Sequence, residues 1–598
     1  MMTLWDWVIV LSLNGAIIAY GFYISRGTSS SSEWFLGGRS LPWWALGLSM
    51  FATSVDNADL VSITGHVYNN GMSVLTVFTL AAVLGSCLAA FGIVPVMYRA
   101  GFYTNAEYLE VRFCGVLRLF SALIQIQYRT AVLGLMVWSI YLMLHHMVGL
   151  DDWQAWGLIV SLVILTAAYT VWGGLASVVW TDALQSLIIM VGALCIFGAV
   201  WNAVGGWSGL EAKLAALPDP EWNAEKGWIG SSEPIALHDE HAEAPRAQPL
   251  ANWLHIGRFD DPKEKTSPWI VLVAWIIIGL GYYTVNHTQT MRMMGARSLW
   301  DMKIAALVGA ALGVPLMLMV VLMGVCGRAL YPELTADGGT ADGLFPLLSR
   351  QYLTTGFKGL VVAGIISATI STFDSMGSAL SALFTRDIYA RWIRQNQTDE
   401  HYLKVGRWAT IGILLIGFLY LPFIISQRNM VDATLSLVSV FVTPLFTIYL
   451  LGALTRVHAR SGLIGLLVGG IFGVSCFLQR ENISAQWMPY ALFGRWYVYL
   501  WSVLLTASSM FLATAFWGRS APRLVRHTPH NSSSKAGGSL STDIRQPTES
   551  DWLANSSEQL PPIKEHPFKG EIPRCLQPRW FALVLIAFTT WLVTVCFW

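Results

Sequence analysis

The chain has 598 residues, of which 55% are hydrophobic and only 12% charged, with a net charge of +1. A soluble protein carries about a quarter charged residues, so the composition excludes an ordinary water-surrounded globule. No segment resembles a kinase, nucleotide-binding or DNA-binding domain, and no nucleic-acid partner is expected.

The apolar residues come in blocks of roughly 20, the length that crosses a bilayer as a helix, and about fourteen such spans are predicted. They lie near 5–23, 41–68, 73–98, 117–147, 154–172, 178–204, 268–291, 300–327, 357–385, 404–425, 430–453, 461–478, 495–517 and 578–597. The fold class is therefore an all-α polytopic membrane protein. The first span lacks the basic start and small-residue cleavage site of a signal peptide and is expected to stay in the chain.

The second span carries Asp56, Asn57 and Asp59 at its middle. Two carboxylates at bilayer depth, each costing about 2.5–3.5 kcal/mol on insertion scales, point to a functional site. Between the sixth and seventh spans, residues 205–267 mix Pro, Gly, Trp and acids. The seventh span places Gly279 and Gly281 before Tyr282, Tyr283, Asn286 and His287. Polar interruptions in two separated spans fit the broken helices of secondary transporters. The ninth, Ile365–Tyr389, is a membrane-length helix with a run of hydroxyls and the carboxylate Asp374, groups that lipid leaves without partners. Residues 518–577 include a Ser/Gly-rich run that reads as a flexible linker to the last span.

Basic residues concentrate after alternate spans: Arg26 and Arg39, then Arg99, Arg112 and Arg118, then Arg292 and Arg297, then Arg386, Arg391, Arg394 and Lys404, then Arg456 and Arg460. The positive-inside rule puts these loops in the cytoplasm and both termini outside, in a plasma or bacterial inner membrane. No GxxxxGK[ST] occurs, so no ATP-driven engine is visible. Seven scattered cysteines without a CxxC pair argue against a metal or disulfide framework. No cofactor is expected.

Six segments in order carry a family resemblance: WFLGGRSLPWWALGLSMFATS (34–54), TNAEYLEVRF (104–113), YTVWGGLASVVWTDALQSLIIMVGA (169–193), GRALYPE (327–333), ISTFDSMGSALSALFTRDIY (370–389) and TPLFTIYLLGALTRVHARSGLIGLLVGG (443–470). The chain resembles the sodium:solute symporter family, which includes sodium/glucose cotransporters and the bacterial proline permease. The resemblance implies a core of two inverted five-helix repeats and inward co-transport of sodium, as co-substrate, with a small polar organic solute. The organisation expected is a peripheral first helix (1–40), a first repeat (41–204), an outer loop (205–267), a second repeat (268–460), peripheral helices (461–517), the linker (518–577) and a last span (578–598).

By the same resemblance, sodium falls on the carbonyls of Ala52, Val55 and Ala368 and the hydroxyls of Ser371 and Thr372. The chemistry agrees, because a hard cation takes oxygen ligands and unwound backbone supplies carbonyls. Positions 368, 371, 372 and 375 share one helical face. Asp182, in WTDALQ, and Asp374 are expected on the sodium path.

The solute is less defined. Residues that hold sugar in family members align with Ser54, Thr79, about Leu312 and about Ser436, so most of the sugar set is absent, while Asp56 and Asp59 are new. Two readings remain: a sugar or polyol bonded by Asp59, Asn57, Asn286 and His287, which is slightly favoured, or a cationic or zwitterionic solute whose amine pairs with Asp56 or Asp59. Tyr282 and Tyr283 are candidates for an aromatic cap. A channel is disfavoured by the paired breaks, a transporter-derived sensor by the absence of a signalling domain after the last span, and an intramembrane enzyme by the lack of HExxH or GxSxG.

Overall fold

The computed structural model describes residues 2–26, 30–216, 221–223, 227–229, 268–334, 341–426, 442–480, 488–519, 564–565 and 577–596. Its helices, numbered here, are α1 (Leu4–Ser25), α2 (Trp43–Ser54), α3 (Asn57–Asn70), α4 (Val77–Ala100), α5 (Asn105–Arg112), α6 (Gly115–Val148) and α7 (Asp152–Val204) in the first part. There follow α8 (Pro268–Val285), α9 (His287–Met294), α10 (Leu299–Leu330), α11 (Phe357–Ile393), α12 (Asp399–Ile425), α13 (Thr443–Leu454), α14 (Ser461–Arg480), α15 (Tyr497–Trp517) and α16 (Pro578–Thr594). Among the described residues nine helices are long and apolar enough to span a bilayer, or ten when the bent pair α8/α9 is one span. The fourteen expected from sequence are not all separate spans of that length.

Two of those fourteen, 154–172 and 178–204, form the two halves of α7. Gly174 divides them with φ 59° and ψ −156°. A Cβ there would lie 2.4 Å from the Trp34 carbonyl oxygen, so the close approach as well as the positive φ calls for glycine. The second span is interrupted as expected: α2 ends at Ser54, Val55 is extended (φ −130°, ψ 111°), and α3 starts after Asp56. The seventh is also interrupted, with α8 and α9 meeting at 48° around Asn286.

These broken pairs open the two five-helix inverted repeats of the core. Leu41, just before α2, forms a parallel bridge with Ala296, just after α9. The most apolar window of α11 is 94% buried against 22% for α1, which places α11 at the centre and α1 at the periphery. α1 still grips its neighbour through polar atoms: Asp6 accepts the Gly356 and Gly359 amides (2.7 and 3.0 Å), and Asn14 bridges Ala363 O and the Ser367 hydroxyl (3.3 and 2.9 Å). Ser436 and most of the 205–267 and 518–577 segments lie outside the described residues.

Candidate functional site

The α2/α3 break has a local cause in sequence. Asp56 and Asp59 cap each other's backbone: the Asp59 amide donates to Asp56 Oδ1 (2.9 Å) and the Asp56 amide to Asp59 Oδ2 (3.2 Å). In a continuous helix those two amides would bond the carbonyls four residues back, Val55 and Ala52. The capping box diverts both. Of the three carbonyls expected to hold sodium, the two on α2 and at its end are thus deprived of their helical donors.

The other half of the predicted set lies on α11, where Ala368, Ser371 and Thr372 are fully buried. Ser371 Oγ donates to Asp182 Oδ1 (2.6 Å) and Thr372 Oγ1 to Ala368 O (3.2 Å). Both hydroxyl oxygens keep lone pairs for a cation. Asp182 ties the halves together: its Oδ2 accepts Ser49 Oγ (2.5 Å) and Thr53 Oγ1 (3.5 Å), which flank Ala52 on α2. Thr53 also meets Ser375 of α11 at 3.1 Å. The structure therefore brings the α2 end, Asp182 and the hydroxyl face of α11 into one cluster.

Beneath it lies Arg292, read from sequence as a cytoplasmic loop cation. That reading is corrected. Arg292 sits on α9, wholly buried, and donates from Nη2 to Asp182 Oδ2 (2.9 Å), from Nε to Ser49 Oγ (2.7 Å) and from Nη1 to Thr288 O (2.6 Å); it also bonds Ser375. The positive-inside pattern misassigned it because α9, bent by 48° from α8, stays buried among the other helices. Asp374 belongs to the same cluster, accepting the hydroxyls of Tyr169 and Ser375 (the latter 3.2 Å).

A cavity of about 190 Å³ opens at the break. Ser54, Val55, Asp56, Asp59, Tyr282 and Tyr283 line it, so five of the predicted solute residues share its wall and Val55 belongs to both regions. Tyr282 stands across the break, its hydroxyl donating to Thr53 O (3.3 Å) and its ring lying edge-on to Tyr283. Four predicted solute residues are not on this wall. Asn57 Nδ2 donates to Met136 O (3.0 Å) and Thr79 Oγ1 to Leu75 O (2.7 Å). Asn286 caps α9 through the Thr288 amide, and His287 turns towards Thr290 while its amide bonds Gln125. Asn57 Oδ1, Asn286 Nδ2 and His287 Nε2 are buried without a hydrogen-bond partner.

The cavity contains a cation that the sequence reading passed over. Arg129 of α6 lines it beside Tyr128, donates to the Tyr128 hydroxyl (3.2 Å) and lies 5.8 Å from the Tyr282 ring centre. Its position at the middle of a predicted span was the available signal, since an ionisable residue there is a functional candidate by default.

A model of the sodium:solute symporter family matches residues 34–469. The chain belongs to that family. It is a sodium symporter, a membrane transporter and not an enzyme. It is 26% identical over 592 residues to the sodium/myo-inositol cotransporter 2 of Homo sapiens, covering 92% of this chain and 84% of that one. With the sodium/glucose cotransporter 1 of Oryctolagus cuniculus it shares 27% over 474 residues, 76% of this chain and 68% of that one. Among solved structures, a substrate-bound, outward-open Na⁺-coupled sialic acid symporter superposes with a TM-score of 0.71 at 21% identity, covering 86% of this chain and 98% of the other. The shared fold is that of the inverted-repeat transporters.

Proposed function

We propose that this symporter moves a sugar or polyol with sodium, the solute seated in the cavity at the α2/α3 break and the ion between Ala52, Val55, Ala368, Ser371 and Thr372. The observation that carries the reading is the Asp56/Asp59 cap, which leaves two carbonyls without helical donors at the level of the α11 hydroxyls. The similarity to myo-inositol and glucose cotransporters supports the solute class. Free oxygens of Asp56 and Asp59 accept strongly from hydroxyl groups.

Sodium at the break would satisfy the diverted carbonyls and tie α2 to α11. Because Val55 belongs to both regions, ordering it also sets the wall that meets the solute. Asp182 and Asp374 then lie along the ion's route past Arg292. The bias of basic residues towards alternate loops supports an orientation with both termini outside the plasma or inner membrane; an epitope tag after Trp598 that antibody reaches only in permeabilised cells would reverse it.

A second reading has its own observation. Arg129 faces the cavity that Asp56 and Asp59 line, so a solute carrying both a carboxylate and an amine would find a partner for each. A solute panel separates the two. Purified protein is heated with myo-inositol, hexoses or zwitterionic amino acids, in sodium or choline chloride. A ligand at 100 times its Kd stabilises the fold by about 2.7 kcal/mol. The polyol reading expects a shift with myo-inositol or a hexose in sodium alone. A shift only with amino acids would replace it by the second reading, and shifts equal in choline would end sodium coupling.

A further inference from the structure

We propose that the groove between the end of α11 and the start of α12 binds one anionic phospholipid, its phosphate held by Lys404, His401 and Tyr389 and an acyl chain laid against Phe384, Val405 and Trp408. The groove has a volume of about 570 Å³, and these six residues line it. It lies away from the ion and solute regions: Phe384 follows Thr372 by twelve residues on α11, about 18 Å along the helix.

The sequence sets this groove across a membrane boundary. Arg394 to Thr398, which join the two helices, are all exposed and none is apolar. Asp399, Glu400, Lys404 and Arg407 continue the polar stretch, and α12 carries no charge from Trp408 to Ile425. The headgroup level therefore falls on the first turns of α12, and the hydrocarbon begins at Trp408. Exposed Trp392 and Trp408 stand at this boundary on the two helices, the level at which indole rings anchor. Trp408, Leu415 and Leu419 share one face of α12 and are 74%, 59% and 76% exposed, so the apolar end of the groove continues onto a face bare to hydrocarbon.

The polar end offers one cation and a pair of hydrogen-bonding rings. Lys404 meets Glu400 at 2.8 Å, but both side chains are more than half exposed, so the pair is weak and Lys404 can turn to a phosphate. Asp399 is engaged elsewhere, its Oδ2 accepting the Ser31 amide (2.8 Å). Tyr389 and His401 stack at 5.7 Å and share a hydrogen bond of 3.0 Å between the hydroxyl and Nε2. If the hydroxyl donates, neutral His401 carries its proton on Nδ1; if Nε2 donates, the hydroxyl keeps its own. Either tautomer leaves the pair one further donor.

Donors and an ammonium at one end, with aromatic and aliphatic walls at the other, match an amphiphile with a negative head. A free phosphate has no use for walls of Phe384, Val405 and Trp408, and a lipid without net charge leaves the ammonium uncompensated. Basic pockets between membrane helices recognise anionic headgroups in this way. On the orientation proposed above, the groove faces the cytoplasmic leaflet, which carries the anionic lipids.

Native mass spectrometry of the purified full-length protein, released from detergent containing dioleoyl phosphatidylglycerol or dioleoyl phosphatidylcholine, tests the site. One phosphatidylglycerol is expected to stay bound at a collision energy that strips phosphatidylcholine. Lys404→Glu is expected to weaken that adduct about tenfold or more. Val405→Trp, which fills the groove without changing charge, is expected to abolish it. Equal retention of the two lipids overturns the proposal. So does wild-type retention of phosphatidylglycerol in either variant, since head and chain contacts are both required, and so does its displacement by excess glycerol phosphate, which has no chain. A wild-type thermal midpoint in phosphatidylcholine shows that the variants are folded. Should Val405→Trp not fold, Ala409→Leu on the same wall takes its place with the same expectation.

Discussion

Asp182 receives more donors than any other side chain in the cluster. Ser371 approaches one oxygen, while Ser49, Thr53 and Arg292 converge on the other. Both Asp182 and Arg292 are wholly buried, so each is tolerated because the other is present. Removing one partner of such a pair costs about 3–5 kcal/mol, since it strands a charge. Asp182→Asn and Arg292→Gln should therefore each lower the thermal midpoint strongly, and the double variant should recover part of the loss. The coupling expected from a double-mutant cycle lies towards the upper end of about 0.5–3 kcal/mol. Simple additivity would mean that the two act independently. Asp182→Ala is also expected to weaken sodium activation more than maximal solute binding, because Ser371 loses the acceptor that orients it. An unchanged sodium activation curve in that variant would remove Asp182 from the ion path.

At the scale of elements, the α2/α3 break is held by a four-residue device, and its substitution has a graded outcome. Losing one cap residue to alanine costs about 1 kcal/mol of helix stability. It also releases an amide to rejoin the helical ladder: Asp59→Ala frees the Asp56 amide for Ala52, and Asp56→Ala frees the Asp59 amide for Val55. Either change is expected to raise the sodium concentration for half-maximal stabilisation, while Asp56→Asn, which still caps, spares it. Equal sodium affinity in all three would show that the break does not depend on the cap. α5 provides a second element-scale case. Its Glu107 is buried against Arg118 at 3.4 Å. Burial pushes the carboxyl up to about 7, against the pull of Arg118. The folded chain then keeps a proton that the unfolded chain loses near 4.5, so stability falls as pH rises between these values and is lowest above about 7. Glu107→Gln should flatten that decline in thermal midpoint between pH 5 and 8; an identical slope in the variant would place the titration elsewhere. The α2/α3 break and the course of α9 were unequally legible in sequence. Polar residues inside apolar blocks marked both broken spans, and the reciprocal spacing of Asp56 and Asp59 was itself a capping signal that was read only as a binding feature. The burial of α9 left no such mark, because a basic residue following an apolar span looks the same whether it exits to water or stays packed among helices. Asn57, Thr79, Asn286 and His287 were assigned to the solute because polarity in a span does not reveal direction, and their bonds to Met136, Leu75, Thr288 and Thr290 are set by packing.

Across the whole molecule, the proposed ion site and the cavity are separate regions that share Val55 and the α2/α3 break in front of them. On the proposed assignment sodium and solute act on the same few backbone torsions, and coupling needs no long relay. An ion that orders Val55 removes part of the ordering that solute binding would otherwise have to supply, and linkage makes the effect reciprocal. Coupling energies of about 1–3 kcal/mol, or about 5–150-fold in affinity, are typical of such pairs. The expected result is that saturating sodium tightens binding of the solute found in the panel by a factor in that range, and that saturating solute tightens sodium by the same factor. Thermal-shift titrations in both directions measure it. Ser371→Ala should reduce the factor along with sodium affinity. By contrast, Tyr282→Phe, which loses the bond across the break to Thr53 O and the bond from Gln289 Nε2, should reduce the factor while leaving sodium affinity in the absence of solute near wild type. A factor of one in the wild-type protein would mean that the two regions are occupied independently, and a shared break would then be the wrong physical basis for symport.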